Sequence, residues 1–166
     1  MTSTVRSWVL LMALAGAVSS WAESKDAAHD GHMRVTEADL VWTDGPPSLP
    51  PGAKVAALEG KPSDAGPFTL RIKMPAGYKI APHHHPADEH VTVLTGTFSM
   101  GMGEAWDDKG LKDLSAGGFA LMPKGVRHFA MSRDGATIQL HGIGPWGIVY
   151  VNPADDPRQQ SKPAAK

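Results

Sequence analysis

The chain contains no cysteine among its 166 residues. That absence excludes a disulfide framework, thiolate-bound zinc, iron–sulfur clusters and a lipid-modified amino-terminal cysteine. Any metal site must therefore draw on His, carboxylate, Met or backbone oxygen. Lys/Arg clusters are also missing, so there is no electrostatic footprint for nucleic acid or for an anionic membrane. No apolar run reaches the roughly 20 residues that a membrane-spanning helix needs. No segment repeats, and helical periodicity never lasts beyond about two turns; Asp107–Leu114 is the one weak helix candidate. The few serines offer no nucleophilic triad.

What is present begins with an export signal. Arg6 precedes an apolar run of 11 residues, Trp8 to Val18, and Ser20-Trp21-Ala22 supplies a small-x-small cleavage site. Residues 1–22 are read as a signal peptide, with cleavage expected after Ala22 and the mature protein expected in the periplasm or secreted. Loss of Arg6 leaves 15 basic against 17 acidic side chains, a net charge near −2 with His neutral. No further long apolar run follows, so no membrane association is expected after cleavage. The mature chain is long enough for one packed domain.

Residues 23–38 hold few large apolar side chains and read as a flexible lead. From Asp39 the texture changes to short apolar or alternating runs broken by Gly and Pro every 8–12 residues or so, the pattern of a β-sandwich or barrel. Expected strands are Leu40–Thr43, Lys54–Leu58, Phe68–Met74, Ile80–His85, His90–Leu94, Thr97–Gly101, Phe119–Met122, His128–Ser132, Thr137–Gly142 and Gly147–Val151. Phe68, Leu70, Ile72 and Met74 alternate with Thr69, Arg71 and Lys73, as one buried and one wet face requires. Pro75-Ala76-Gly77, Thr95-Gly96-Thr97 and Asp134-Gly135 read as turns. One all-β domain is expected over 39–153, followed by a disordered tail, 154–166.

Eight histidines in so small a chain need an explanation. In an extended His83-His84-His85, the first and third imidazoles share a face and can share a metal ion. Glu89 keeps the same parity across a short turn at Pro86-Ala87-Asp88. His128 is the best fourth ligand, opening a strand after Met122-Pro123-Lys124-Gly125, which fits a type I turn. Three imidazoles and a carboxylate suit one divalent transition ion and leave one or two positions open for water or substrate. Iron or manganese is favoured, with zinc, nickel and copper as alternatives. Such a centre carries about one net positive charge and would attract an anionic or chelating oxygen ligand.

The same residues resemble the motifs of the cupin superfamily. The first motif is met by Gly77, His83, His85, Glu89 and Gly96 at every spacing, and the second by Gly117, Pro123, Gly125 and His128, with Ser132 where the pattern has Asn. The resemblance implies a single-domain double-stranded β-helix, a jelly-roll barrel with one metal in its mouth, and those four residues as ligands. Cupins include dioxygenases, isomerases, decarboxylases, lyases, storage proteins and sensory domains, so the reaction stays open.

Around the ligands, His141 and Gln139 share a strand face and are candidate catalytic groups, as general base or as a donor behind the metal ligands. His84 and His90 have the wrong parity for the site, and His29 and His32 read as solvated. Met100 and Met102 read as core filling, with pocket lining and soft copper ligation as the specific alternatives. Trp106, Phe129 and Trp146 are candidate cavity walls, and Arg127 an exposed turn residue. Two functions follow. One is an exported metal enzyme that transforms a small organic substrate by dioxygenation or by Lewis-acid isomerisation or elimination. The other is a non-catalytic cupin that binds or senses a small ligand or a metal. A pocket lined only by Met, Phe and Ala around the imidazoles would favour dioxygen chemistry or binding over acid–base chemistry. A homodimer through edge strands is the expected assembly, with Trp42 at the contact.

Overall fold

A computed structural model describes residues 32–160. The signal-peptide reading and His29 lie outside the described residues. The chain divides between Arg34 and Val35, and every strand described here belongs to the unit that begins at Val35. The strands are β1 (Thr43–Asp44), β2 (Lys54–Glu59), β3 (Gly66–His84), β4 (Glu89–Met102), β5 (Lys112–Ser115), β6 (Phe119–Met122), β7 (His128–Gly144) and β8 (Val149–Tyr150). They form one antiparallel sheet in the order β1-β2-β3-β7-β4-β5, with β6 on β4 and β8 on β3.

Three strands are far longer than the sequence suggests, and their length makes the fold. Phe68–Met74 and Ile80–His85 lie on β3 or just past its end, the two runs around Gly96 fuse into β4, and the two around Gly135 into β7. The expected turns are bends inside continuous strands. Gly77, Gly96 and Gly135 hold φ of +70°, +73° and +95°. Register sets them nearly in a row: β7 lies between β3 and β4, with Ala76 opposite Asp134 and Gly96 opposite Ala136. Hydrogen bonding carries through while every strand turns its corner, so the sheet folds over on itself into a jelly-roll barrel.

The inner faces meet between the two halves. Phe68, Leu70, Ile72 and Met74 are buried on β3, as their alternation requires, and pack with Val91, Val93 and Phe98 of β4 and Ile138 and Leu140 of β7. Their neighbours Thr69, Arg71 and Lys73 face outward, where Lys73 sits 4.5 Å over the Trp42 ring.

Other expectations at the edges are corrected. Asp107–Leu114 is not a helix; Asp108–Gly110 is a 3-10 turn capped by the Asp107 side chain, and β5 follows. Of Leu40–Thr43 only Thr43 enters a strand. Where the lead meets the domain, Glu37–Asp39 form a 3-10 turn, and Glu37 accepts from Arg71 at 3.0 Å. The tail does not start at 154: Pro153–Asp155 and Pro157–Gln160 are helical turns. The Asn152 side chain caps the first, and Arg158 pairs with Asp156 at 2.8 Å while donating to the Ile148 carbonyl. Composition suggested a solvated end because these ties are local polar bonds with no apolar periodicity.

Gly96 is the bend that tolerates substitution least. A Cβ there would stand 1.9 Å from the Gly135 carbonyl oxygen, on a backbone already at positive φ. Gly96→Ala is expected to cost on the order of 2–4 kcal/mol, read as a lower urea midpoint at unchanged m-value. An unchanged midpoint would show that the corner is not strained by a side chain.

Candidate metal centre

Four side chains named from spacing converge here. His83 lies near the end of β3, His85 just past it, Glu89 opens β4 and His128 opens β7. On one half of the barrel His83 stands in register with His128 on one side and Tyr150 on the other. Glu89 belongs to the other half, paired with Met122 of β6. Folding at the glycine row brings the halves together. A register shift between Ile80 and His83 re-aims the end of β3.

The loops that carry the ligands are tied to each other. The Gly125 amide donates to the His85 carbonyl at 2.9 Å, and the Lys124 amide to the Asp88 carboxylate at 2.8 Å. The turn is displaced by one residue from the expected type I turn. The Val126 amide closes on the Pro123 carbonyl, which puts Gly125 third, with φ +78°, as a type II turn requires.

All four residues are at least 94% buried. Ring centroids are 4.3 Å apart for His83 and His128, 5.0 Å for His83 and His85, and 5.1 Å for His85 and His128. Each imidazole presents Nδ1 to a backbone carbonyl: His83 to Ala81 at 2.7 Å, His85 to Gly147 at 2.7 Å, His128 to Val126 at 3.1 Å. A carbonyl only accepts, so each Nδ1 carries the hydrogen and donates. Every Nε2 is left with its lone pair. The three imidazoles offer ligand atoms within 4.8 Å of one another, a group able to hold a metal ion. Glu89 stands against two of them, its Oε2 at 3.3 Å from Nε2 of His85 and of His128.

The electrostatics of this cluster call for a cation. Lone-pair nitrogens and a carboxylate oxygen at 3.3 Å repel unless positive charge lies between them. The His85 Nε2 is fully buried with no hydrogen-bond partner, an uncompensated polar atom of the kind a bound ion satisfies. Burial pushes His83 down to about 3, with His128 and His85 adding to the effect, so a proton does not serve there at neutral pH. Burial opposes ionisation of Glu89, and its carboxyl is held below the ordinary range only where positive charge faces it, as protons on His128 and His85 or as a cation in their place.

The cluster opens on a cavity of about 480 Å³. Its wall is aliphatic and aromatic, with Leu70, Ile80, Phe98, Met100, Ile138 and Leu140 among the lining residues. Trp146 also lines it, stacked on His85 at 4.3 Å and 21°. The two nearby phenols are committed: Tyr78 donates to the Pro50 carbonyl at 2.6 Å and Tyr150 to the Ser48 carbonyl at 2.8 Å. Burial raises both, Tyr150 to about 12.

His141 and Gln139 are not in this cavity. On β7 it is Ile138 and Leu140 that face inward, so the expected catalytic pair lies on the outer surface. His141 stacks on His90 at 5.0 Å, and Gln139 accepts from Arg71 at 3.5 Å. They were expected on a separate strand from His128; the structure joins both to His128 on β7, and parity along that strand sends them outward. Met100 lines the cavity while Met102 is 58% exposed, so no pair of thioethers forms. Trp106 and Phe129 pack on each other at 4.9 Å and neither lines the cavity. Arg127 pairs with Glu104 at 3.1 Å, outside the site.

A match to the model of the ChrR cupin-like domain spans residues 30–145, more than two-thirds of the chain. The chain belongs to this cupin family. No curated protein matches it. Among solved structures, this cupin resembles the polyketide cyclase RemF of Streptomyces resistomycificus (TM-score 0.60, 16% identity, covering 77% of this chain and 91% of that one). It also resembles a proposed acetylacetone dioxygenase of Methylibium petroleiphilum (TM-score 0.58, 20% identity, 76% and 85%). An RmlC-like cupin of Shewanella frigidimarina is a third (TM-score 0.53, 18% identity, 66% and 88%). At these identities the likeness is one of fold.

The site's pH response has a definite sign. His83 is held neutral in the folded, metal-free protein to about pH 3, whereas the unfolded imidazole takes its proton near 6.5. Stability is therefore complete above about 6.5 and declines as pH falls toward 3, with Glu89 adding loss in the same direction at the acid end. Urea midpoints of metal-free protein are expected to fall from pH 6.5 to 4, and to fall less in His83→Gln. Parallel curves for the two proteins would contradict this.

Proposed function

We propose that this cupin is an exported metal-dependent enzyme that oxygenates a small, oxygen-chelating organic substrate. One observation carries the reading: a buried set of three imidazoles and one carboxylate opens on a largely apolar cavity whose lining holds no acid–base side chain beyond the ligands themselves except Asp44, paired with Lys54, and Lys61 of an exposed loop. His83, His85 and His128, with Glu89, would hold the ion; iron(II) is favoured and manganese second. When bound, the metal supplies a Lewis-acidic, redox-active centre.

The chain's own residues do the rest. The Ala81, Gly147 and Val126 carbonyls fix each imidazole in the tautomer that binds metal. Trp146 shields His85 from water. The apolar wall excludes solvent from the reacting atoms. Isomerisation or elimination needs a positioned proton carrier; with both phenols bound to carbonyls, His141 outside and Lys61 on an exposed loop rather than fixed at the ligands, the lining supports oxygenation ahead of them. Dioxygen is the co-reactant: both of its atoms enter the substrate as one carbon–carbon bond breaks, the substrate being oxidised and dioxygen reduced. The name carried by the Methylibium structure agrees with this chemistry. The same lining also favours a second reading, a non-catalytic cupin that captures a small ligand. The signal pattern at residues 6–22 supports export.

Metal content is expected at about one ion per chain in protein purified after folding, and at none in a His83→Ala, His85→Ala double variant. In protein loaded with iron(II), a β-dicarbonyl such as acetylacetone is expected to disappear with one equivalent of dioxygen consumed. Binding with no oxygen uptake would favour capture, and unchanged metal in the double variant would remove the proposal.

A further inference from the structure

The cavity is larger than a metal site needs and is unevenly furnished. Beyond the imidazoles its wall is largely hydrocarbon: Leu70, Ile72, Ile80, Met100, Ile138 and Leu140 all line it. At about 480 Å³ it matches a small-molecule site and exceeds what dioxygen or water would use. Charged residues in the lining are few, and most are already engaged. Asp44 is bound by Lys54 at 2.7 Å, and Glu89 faces His85 and His128.

Lys61 is the exception. It lies between β2 and β3 and lines the cavity, and no ion-pair partner for it exists among the described residues. Its loop is anchored at the site's own end of the barrel. The Trp146 amide donates to the Pro62 carbonyl at 2.6 Å, the Asp64 amide to the Lys61 carbonyl at 3.0 Å, and Trp146 stacks on His85. The exposed Lys61 therefore borders the same cavity as the imidazole cluster, at a rim it shares with Thr43, Ser48 and Ser63, with the hydrocarbon interior beyond.

We infer that the ligand is an amphiphilic monoanion. Its oxygen head, a carboxylate or an enolate, sits between the imidazole cluster and Lys61, and its aliphatic or aromatic tail occupies the hydrocarbon interior. Lys61 is the residue that selects for charge, and the interior selects for tail length. The head group's placement rests on the metal-centre reading; the tail's does not.

The test uses straight-chain probes on the full protein loaded with zinc, which holds the site without redox chemistry. Affinities are measured by titration calorimetry for butyrate, octanoate and octanol. Burial of a methylene strengthens binding about fourfold, so octanoate is expected to bind on the order of a hundredfold tighter than butyrate. Octanol, with the same tail length and no charge, is expected to bind at least tenfold more weakly than octanoate. Lys61→Met, an exposed-loop change, is expected to narrow the octanoate–octanol gap severalfold and leave octanol unchanged. Equal affinities for butyrate and octanoate would overturn the tail assignment. Octanoate no tighter than octanol, or a gap untouched by Lys61→Met, would overturn the head assignment. Zinc content of each sample separates the two proposals: full occupancy with no chain-length dependence sinks this inference alone, whereas chain-length dependence without bound zinc sinks the metal reading and upholds the tail.

Discussion

Three backbone carbonyls decide the character of the site. By accepting from Nδ1 of His83, His85 and His128 they turn three lone pairs toward a common point, with the Glu89 carboxylate beside them. In water such a set would disperse. In a protein interior it is unfavourable until a cation joins it, because desolvated donor atoms have nothing else to bind. The strands, turns and bends around it hold that unfavourable set in place. The type II turn at Pro123–Val126 is bonded to the His85 carbonyl, and the corner glycines bring Glu89 from one half of the barrel onto His128 of the other.

The four converging side chains were legible in the sequence because each sits at a motif spacing and on a predictable face: His83 and His85 two apart, Glu89 across a short turn, His128 at the start of a strand. The alternation of Phe68, Leu70, Ile72 and Met74 likewise gave the inner face of β3. What was not legible was continuity. Pro75-Ala76-Gly77 and Asp134-Gly135 have turn composition, and nothing local says that the ladder between β3 and β7 runs on past them. The misplacement of His141 and Gln139 comes from a related gap. Which parity of β7 faces inward at its far end depends on the register carried through the bend at Gly135. The tautomer-fixing carbonyls left no sequence signal at all, since any residue supplies one. Trp146 was named from sequence as a cavity wall and does line it, whereas Lys61 could be named only once the loops around Pro62 and Trp146 were seen to meet.

The cavity combines two environments that seldom share a wall: buried groups that need positive charge, and a hydrocarbon lining that offers none. Their meeting is what gives the site selectivity. A fully polar ligand would strand its hydroxyls against Leu70 and Ile138, at a cost of a few kcal/mol for each unpaired group. A fully apolar one would leave the imidazole side unused. Fold likeness to enzymes of different chemistry does not alter that balance, because the balance is set by this chain's own lining.

The long bent strands have a mechanical consequence. Because β3, β4 and β7 each run through both halves of the barrel, neither half can lose its three central strands by itself. Separating those central strands would have to break ladders that continue into the opposite wall, so the ligand cradle, carried at their ends, shares the fate of the β3–β7–β4 ladders. It has no private, low-energy way of opening, and entry to the interior falls to the loops at its rim.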